Sequence, residues 1–306
     1  MSTTLFYFFY TQLWNFTRII LPVFANFSSK LHAGIEMRKP KDGVYPWLSQ
    51  KLVNPVWFHC ASGEFEYAKP VIREFKKKYP NQKILLTYFS PSVRDNVALV
   101  KEIDFACPTP WENPKMWQDF IAHHQPQALL IARTDVWPEM LRQCEQNHIP
   151  SLLFSASLTE KSGRMKPWVR WLTRLAHQKL NQIFCVSADD QMQFIKLGLE
   201  HKTKIQGDTR FDQVFARLAQ PKKLPFDWQP PKSETERVRL VLGSTWPEDE
   251  AFWLPLFPHL LSQKLEIVLV PHEPSEEHIK SLSQKLSEMQ ISFQLSSEPA
   301  KSASVL

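Results

Sequence analysis

Glu64 has the residue type and the spacing for moving a proton. It stands in His59-Cys60-Ala61-Ser62-Gly63-Glu64-Phe65-Glu66, where an apolar strand gives out near Cys60 and a helix opens. A helix N-terminus favours negative charge, so a carboxylate there stays ionised and suits general-base work on an alcohol. Gly63 permits a tight turn or the close approach of a ligand. The plainer reading is that Ser62 and Glu64 cap the helix. A second junction, Ala132-Arg133-Thr134-Asp135-Val136-Trp137-Pro138, follows another apolar strand, and Pro138 marks the helix start. Arg133 can hold a phosphate or carboxylate with two parallel hydrogen bonds, or it can simply pair with a capping Asp135.

Four further junctions carry polar groups. Ser155 to Arg164 is a hydroxyl-rich loop containing Ser157 and ending on Arg164, suited to a sugar or phosphate. Gly207-Asp208-Thr209-Arg210 is expected to turn Arg210 toward an interdomain cleft. Gly243-Ser244-Thr245 and then Pro271-His272 offer hydroxyls, a helix start and a histidine to a phosphate.

The elements that must position these groups read as alternating strands and helices. Strands are expected at 55–60, 83–89, 103–107, 127–132, 150–155, 182–186 and 203–206. Helices fall between them, for example over 65–78, 92–101, 138–147 and 167–179. Short apolar runs alternating with amphipathic segments indicate βαβ units and a parallel sheet. In such sheets ligands bind beyond the carboxyl ends of the strands, where every junction above lies. Residues 50–219 form the first domain, and four prolines mark 220–237 as a linker. The rhythm resumes over 238–295 with strands at 238–243, 265–270 and 290–295 and helices at 247–262 and 275–289. Residues 296–306 read as a disordered tail.

Composition removes several alternatives. With 306 residues, 43% hydrophobic and 22% charged, the chain is globular and long enough for two domains. Only 7 glycines are present, none spaced for G-x-G-x-x-G or a Walker loop, so a dinucleotide fingerprint and a P-loop are excluded. Four dispersed cysteines exclude a zinc ribbon, a disulfide scaffold and a C-x-x-C redox site. The net charge of +6 suits anionic partners. Lys and Arg form no long run, which speaks against nucleic acid. Leu5 to Phe27 is rich in aromatic and aliphatic residues, and residues 1–40 are expected to form a membrane-associated helix with a basic segment after it. Arg18, near its middle, costs on the order of 3 kcal/mol in a bilayer core, so a shallow anchor competes with a span. Lys30, Arg38, Lys39 and Lys41 follow and place the body on the cytoplasmic side.

In order along the chain, WFHCASGEFE, RTDVWPEM, FSASLTEKSGR, QGDTRFDQV, GSTWPEDE and VPHEP resemble the 3-deoxy-D-manno-octulosonic acid (Kdo) transferases of glycosyltransferase family 30, over roughly residues 15 to 285. The resemblance implies an α/β GT-B fold of two Rossmann-like domains with parallel sheets, the second incomplete here. It implies Kdo transfer from CMP-Kdo to a lipid A precursor at the cytoplasmic face of the inner membrane, with inner-membrane lipids as a further partner. Glu64 matches the family's proposed general base. By the same resemblance Ser62, Gly63, Arg133, Asp135, Ser157, Arg164 and Arg210 belong to the acceptor side, and Gly243, Ser244, Thr245 and His272 to the donor side. No metal and no organic cofactor is called for. The chain departs from the family at several points. Ser62 and Gly63 are adjacent where one residue usually intervenes, Arg133 stands in place of an acid, and Ser157 stands in place of an arginine. The glycine-rich loop and H-N-x-x-E-P motif that follow in the family are not in this sequence, so a C-terminally truncated, non-catalytic remnant or acceptor-binding module is the alternative. A GT-B enzyme using a nucleotide-diphosphate sugar is another.

Overall fold

The structure is a computed structural model, and it describes residues 3–25, 27–219, 238–263 and 265–296. The expected linker, 220–237, and the tail from 297 onward lie outside the described residues. The chain divides into two compact units, Met1–Gln220 and Pro221–Leu306.

The first unit is built on seven parallel strands: β1 (Val56–Cys60), β2 (Ile84–Tyr88), β3 (Phe105–Pro108), β4 (Ala128–Ala132), β5 (Ser151–Ala156), β6 (Gln182–Cys185) and β7 (Thr203–Ile205). Their order in the sheet is β3-β2-β1-β4-β5-β6-β7. Its helices are α1 (Thr3–Ala25), α2 (Ser29–Glu36), α3 (Phe65–Lys78), α4 (Arg94–Ala98), α5 (Pro114–His124), α6 (Pro138–Gln146), α7 (Pro167–His177), α8 (Ala188–Lys196) and α9 (Thr209–Ala219). All five residues of β1 and of β2 are buried, as a parallel sheet covered on both faces requires.

Alternation along β1 sends Trp57 to one face and Val56, Phe58 and Cys60 to the other. Ala68 and Ile72 of α3 pack with Phe58, while Met140, Leu141 and Cys144 of α6 pack with Trp57. Helices α3 and α6 therefore leave neighbouring strands β1 and β4 for opposite faces. A crevice opens between two such departures, at the carboxyl edge of the sheet.

Helix α1 is docked along one face. Phe6 and Tyr7 are buried, and the Tyr7 hydroxyl donates to the Pro138 carbonyl at 3.3 Å. The Tyr10 hydroxyl donates to Glu112 at 2.8 Å. Among the described residues no helix is long and apolar enough to cross a membrane. The expected basic flank is also only partly at the surface. Arg38 is 2% exposed and donates to the carbonyls of Gly34, Phe89 and Thr109 at 2.8–2.9 Å. It lies over the Phe89 and Trp111 rings, so it ties α2 to the ends of β2 and β3 instead of facing a lipid headgroup.

The second unit pairs β8 (Val238–Thr245) with β9 (Leu265–Pro271) in parallel. Its helices are α10 (Pro247–Trp253), α11 (Phe257–Ser262) and α12 (Glu276–Glu288). The helix expected over 247–262 is broken by a 3-10 turn at Leu254–Leu256, where Pro255 and Pro258 withhold backbone donors. No strand forms over 290–295. Gln290 takes φ +56 as α12 ends, and Phe293 makes only a single bridge.

Glu112 joins three of these elements. Its carboxylate is 3% exposed and accepts four hydrogen bonds, from Tyr10 Oη, Trp117 Nε1, Glu139 N and Met140 N, at 2.8–3.1 Å. Burial pushes its pKa from 4.5 up to about 7, against the pull of those donors. A carboxyl raised in the folded state favours folding most below its unfolded value and loses that contribution as pH climbs from 4.5 to 7. We therefore expect Glu112→Gln to flatten this part of the stability profile in urea melts. Glu112→Ala should cost about 3 kcal/mol or more, because it strands several buried donors.

Candidate active site

Cys60 ends β1, and the chain turns through Ala61, Ser62 and Gly63 into α3. Glu64 lies at the helix threshold with φ −59 and ψ −15 and makes no side-chain cap. Its Oε2 instead accepts the Ser62 backbone N–H at 2.9 Å. Oε1 has no partner among the described residues. One oxygen is thus anchored to the turn and the other is free to accept a proton. Ser62 itself reaches Ser92 at 3.4 Å. Gly63 does not have a positive φ, and a Cβ built there meets nothing within 4 Å. The turn does not need a glycine, and what remains of the earlier reading is an open side toward the crevice.

That crevice has a volume of about 490 Å³ and lies within the first unit. Its lining includes Gly63, Glu64, Tyr67, Arg133, Arg210 and Arg217. Arg133 follows β4 with φ +66, a left-handed conformation costing a non-glycine residue on the order of 1 kcal/mol. Its guanidinium lies 4.8 Å from the Tyr67 ring centroid and donates to the Tyr67 hydroxyl. It does not pair with Asp135, so the capping-pair reading of that junction fails.

Asp135 turns the other way. It accepts from His59 Nε2 at 3.2 Å and from Trp137 Nε1 at 2.8 Å. Burial works to raise its pKa. The hydrogen bond and charge of His59, the Trp137 donor and the nearby Arg164 outweigh burial and hold the carboxyl below its usual range. His59 is fully buried, with Nδ1 2.9 Å from Thr87 Oγ1, which also accepts from Trp57 Nε1 at 2.8 Å. Asp135 therefore holds the Arg133 loop and does not line the crevice.

Arg210 reaches the same ring from α9, 5.9 Å from the Tyr67 centroid. Gly207, at φ +85, supplies the left-handed turn before it. The Thr209 hydroxyl donates to the Tyr67 carbonyl at 2.8 Å and accepts from the Ser155 hydroxyl at 2.8 Å. Sequence reasoning missed Tyr67, Thr209 and Arg217. Tyr67 lies three residues beyond Glu64 on the same helical face, which was a usable signal. Thr209 stands in the Gly207–Arg210 junction with no role given to it there, and Arg217 carried no signal.

Two further acceptor-side candidates do not line the crevice. Ser157 Oγ donates to Asp190 at 3.1 Å, and Asp190 also takes the Leu158 N–H and the Ser187 hydroxyl. Arg164 sits in a 3-10 turn before α7, outside the crevice lining.

In the second unit Ser244 and His272 do meet. Ser244 has φ +60, and its Oγ lies 2.6 Å from His272 Nδ1. The His272 ring stacks on Trp246 at 4.3 Å. Both residues are exposed at the carboxyl edge of β8 and β9. Thr245 points inward instead, donating to the buried Glu250 at 3.1 Å, and Glu250 in turn meets His278 at 2.8 Å. Gly243 has neither a positive φ nor a crowded Cβ position. No group of three or more metal-ligating side chains occurs among the described residues.

Residues 35–213 match the family model described as 3-deoxy-D-manno-octulosonic-acid transferase (kdotransferase). The chain belongs to that family. A relative of the same description from Rickettsia felis is 27% identical over 241 residues, covering 74% of this chain and 48% of its own. One from Haemophilus influenzae is 24% identical, covering 71% and 47%. The chain thus spans about half the length of the curated relatives it matches. In solved structures it resembles the UDP-GlcNAc 2-epimerase of Neisseria meningitidis, with a TM-score of 0.53, 17% identity and coverage of 78% of this chain and 70% of the other. The epimerase of Methanocaldococcus jannaschii also gives 0.53, at 12% identity, covering 79% and 70%. At such identities the likeness shows the fold alone, an α/β fold of the GT-B kind with parallel sheets.

Because the Asp135 carboxylate contributes stability above its unfolded pKa and loses it as pH falls through its depressed folded value, Asp135→Asn should destabilise the first unit by about 1–3 kcal/mol at neutral pH. Denaturant melts of the two proteins should converge in acid, as the parent's own carboxyl protonates.

Proposed function

We propose that this chain acts in Kdo transfer, moving Kdo from CMP-Kdo to a lipid A precursor. Glu64 carries the reading. It is a half-buried carboxylate with one free oxygen, at the carboxyl end of β1, in an arginine-bearing crevice of a Kdo-transferase family member. In the reaction Glu64 takes the proton of the acceptor hydroxyl as that oxygen bonds to the anomeric carbon. The bond from that carbon to the CMP phosphate oxygen breaks, and CMP leaves with the electron pair. In the second unit, described by itself, the Ser244–His272 hydroxyl–imidazole pair has the chemistry to bind a phosphate. Membranes or lipid dispersions containing a lipid A precursor, incubated with CMP-Kdo and this chain, should show the mass of one added Kdo. Glu64→Gln should lower the rate at least ~100-fold with lipid binding retained. Transfer at the parental rate would remove Glu64 from the chemistry, and lipid binding without any transfer would leave the chain an acceptor-binding module.

The same reading places the protein against the cytoplasmic face of the inner membrane. The outer face of α1 exposes Phe9, Leu13, Phe16, Ile19 and Val23 at 56–75%, recurring every three or four residues. Trp168 and Trp171 of α7 are exposed as well, and Trp171 meets Phe6 of α1 edge to face at 5.4 Å. A shallow apolar face with tryptophans beside it suits the headgroup boundary. Replacing Phe16, Ile19 and Val23 together by serine should release the protein from sedimenting vesicles without lowering its melting temperature. Undiminished sedimentation would place the lipid contact elsewhere.

A further inference from the structure

Two guanidinium groups in the crevice lie near one ring, and neither is in ion-pair contact with a carboxylate among the described residues. Arg133, in the loop after β4, and Arg210, in the first turn of α9, are 77 positions apart in sequence, yet both lie within 6 Å of the Tyr67 centroid, at 4.8 and 5.9 Å. Neither makes an ion pair among the described residues. The nearby acids form no salt bridge with either of them among the described residues. Glu66 is held by Arg217 at 2.6 Å and by Lys69. Glu64, bonded through one oxygen to the Ser62 backbone, keeps its charge in the crevice but is not in ion-pair contact with either arginine, and Asp208 accepts the backbone N–H of Arg210 at 2.8 Å. Asp135 faces His59 and Trp137.

Like charges brought together in a concave, partly desolvated site repel. The π face of Tyr67 offsets some of that cost, but it neutralises neither charge. The fold nevertheless builds the arrangement deliberately. The Tyr67 hydroxyl receives Arg133, whose backbone is in the left-handed region, while the Tyr67 carbonyl receives Thr209, the residue before Arg210. One side chain and its own peptide group thus register both the loop after β4 and the start of α9.

We propose that Arg133 and Arg210, registered by Tyr67, form a clamp for a phosphomonoester dianion, with Tyr67 as a positioning residue. Two fixed positive charges match a group carrying close to two negative ones, and guanidinium forks match the geometry of phosphate oxygens. A carboxylate would balance only one of them. The clamp deepens the acceptor reading of this crevice and rests on that reading only for the identity of the molecule that brings the phosphate.

The test is calorimetric titration of the full chain with glucose 1-phosphate, inorganic phosphate and acetate, with no sugar donor present. Glucose 1-phosphate should bind at least ~10-fold more tightly than acetate. Its affinity should rise between pH 5 and 7, as the second ionisation near ~6 completes the dianion. Arg133→Gln and Arg210→Gln, which keep bulk and lose charge, should each weaken binding about 10-fold or more. Tyr67→Phe, which keeps the ring and drops the hydroxyl, should weaken it by a smaller factor. Lys115→Ala, on the exposed face of α5, should leave it unchanged. Tighter binding of glucose 1-phosphate than of inorganic phosphate would assign the clamp to a sugar-borne group, and the reverse order to the free ion. Equal affinity for acetate, or parental affinity in both glutamine variants with unchanged melting temperatures, would overturn the clamp. A chain that binds glucose 1-phosphate but transfers no Kdo keeps the clamp and loses the transferase reading. Kdo transfer with an unchanged acceptor KM in both glutamine variants keeps the transferase reading and discards the clamp.

Discussion

The divergence of α3 and α6 from neighbouring parallel strands is the constraint on which the site depends. Strand β1 passes to β2 and then β3 on one side, and β4 begins the series that runs to β7 on the other. A right-handed crossover must put the first helix of each series on opposite faces. The residues just beyond the carboxyl ends of β1 and β4, Glu64 and Arg133, lie between those two helices and share a crevice by topology and not by sequence proximity.

What keeps that crevice shaped is a line of buried polar contacts beneath it. Trp57 donates to Thr87, Thr87 meets His59, His59 meets Asp135, and Asp135 also takes the Trp137 indole. Each residue in this line is hydrogen-bonded to the next, as buried polar groups require. The chain of contacts crosses β2, β1 and the loop after β4, so it fixes that loop relative to the sheet. Arg133 can then be held in a left-handed conformation that an unsupported loop would relax.

Helix α1 illustrates the same rule at the periphery. A segment this apolar still gives one face to Tyr7, Tyr10 and Asn15, which find Pro138, Glu112 and Asn113 on the first unit. Glu112 satisfies a helix N-terminus, a buried indole and a tyrosine at once. The remaining face of α1 has no protein to cover it among the described residues, and the large exposed aromatics are there.

The strand–helix rhythm, the parallel sheet and the place of Glu64 and Arg133 at strand ends were legible in the sequence, because burial on both faces demands unbroken apolar runs and because helix starts carry local signals. The reach of each polar side chain was not. Asp135 and Ser157 are the kind of residue that binds ligands, yet they satisfy His59 and Asp190. Tyr67, which resembles any core aromatic on an amphipathic helix, organises the crevice. Local patterns depend on neighbours a few positions away, and those set the elements. Which buried donor meets which acceptor depends on groups 50 to 150 positions apart, such as Tyr67, Arg133 and Thr209, and only packing the sheet brings those together.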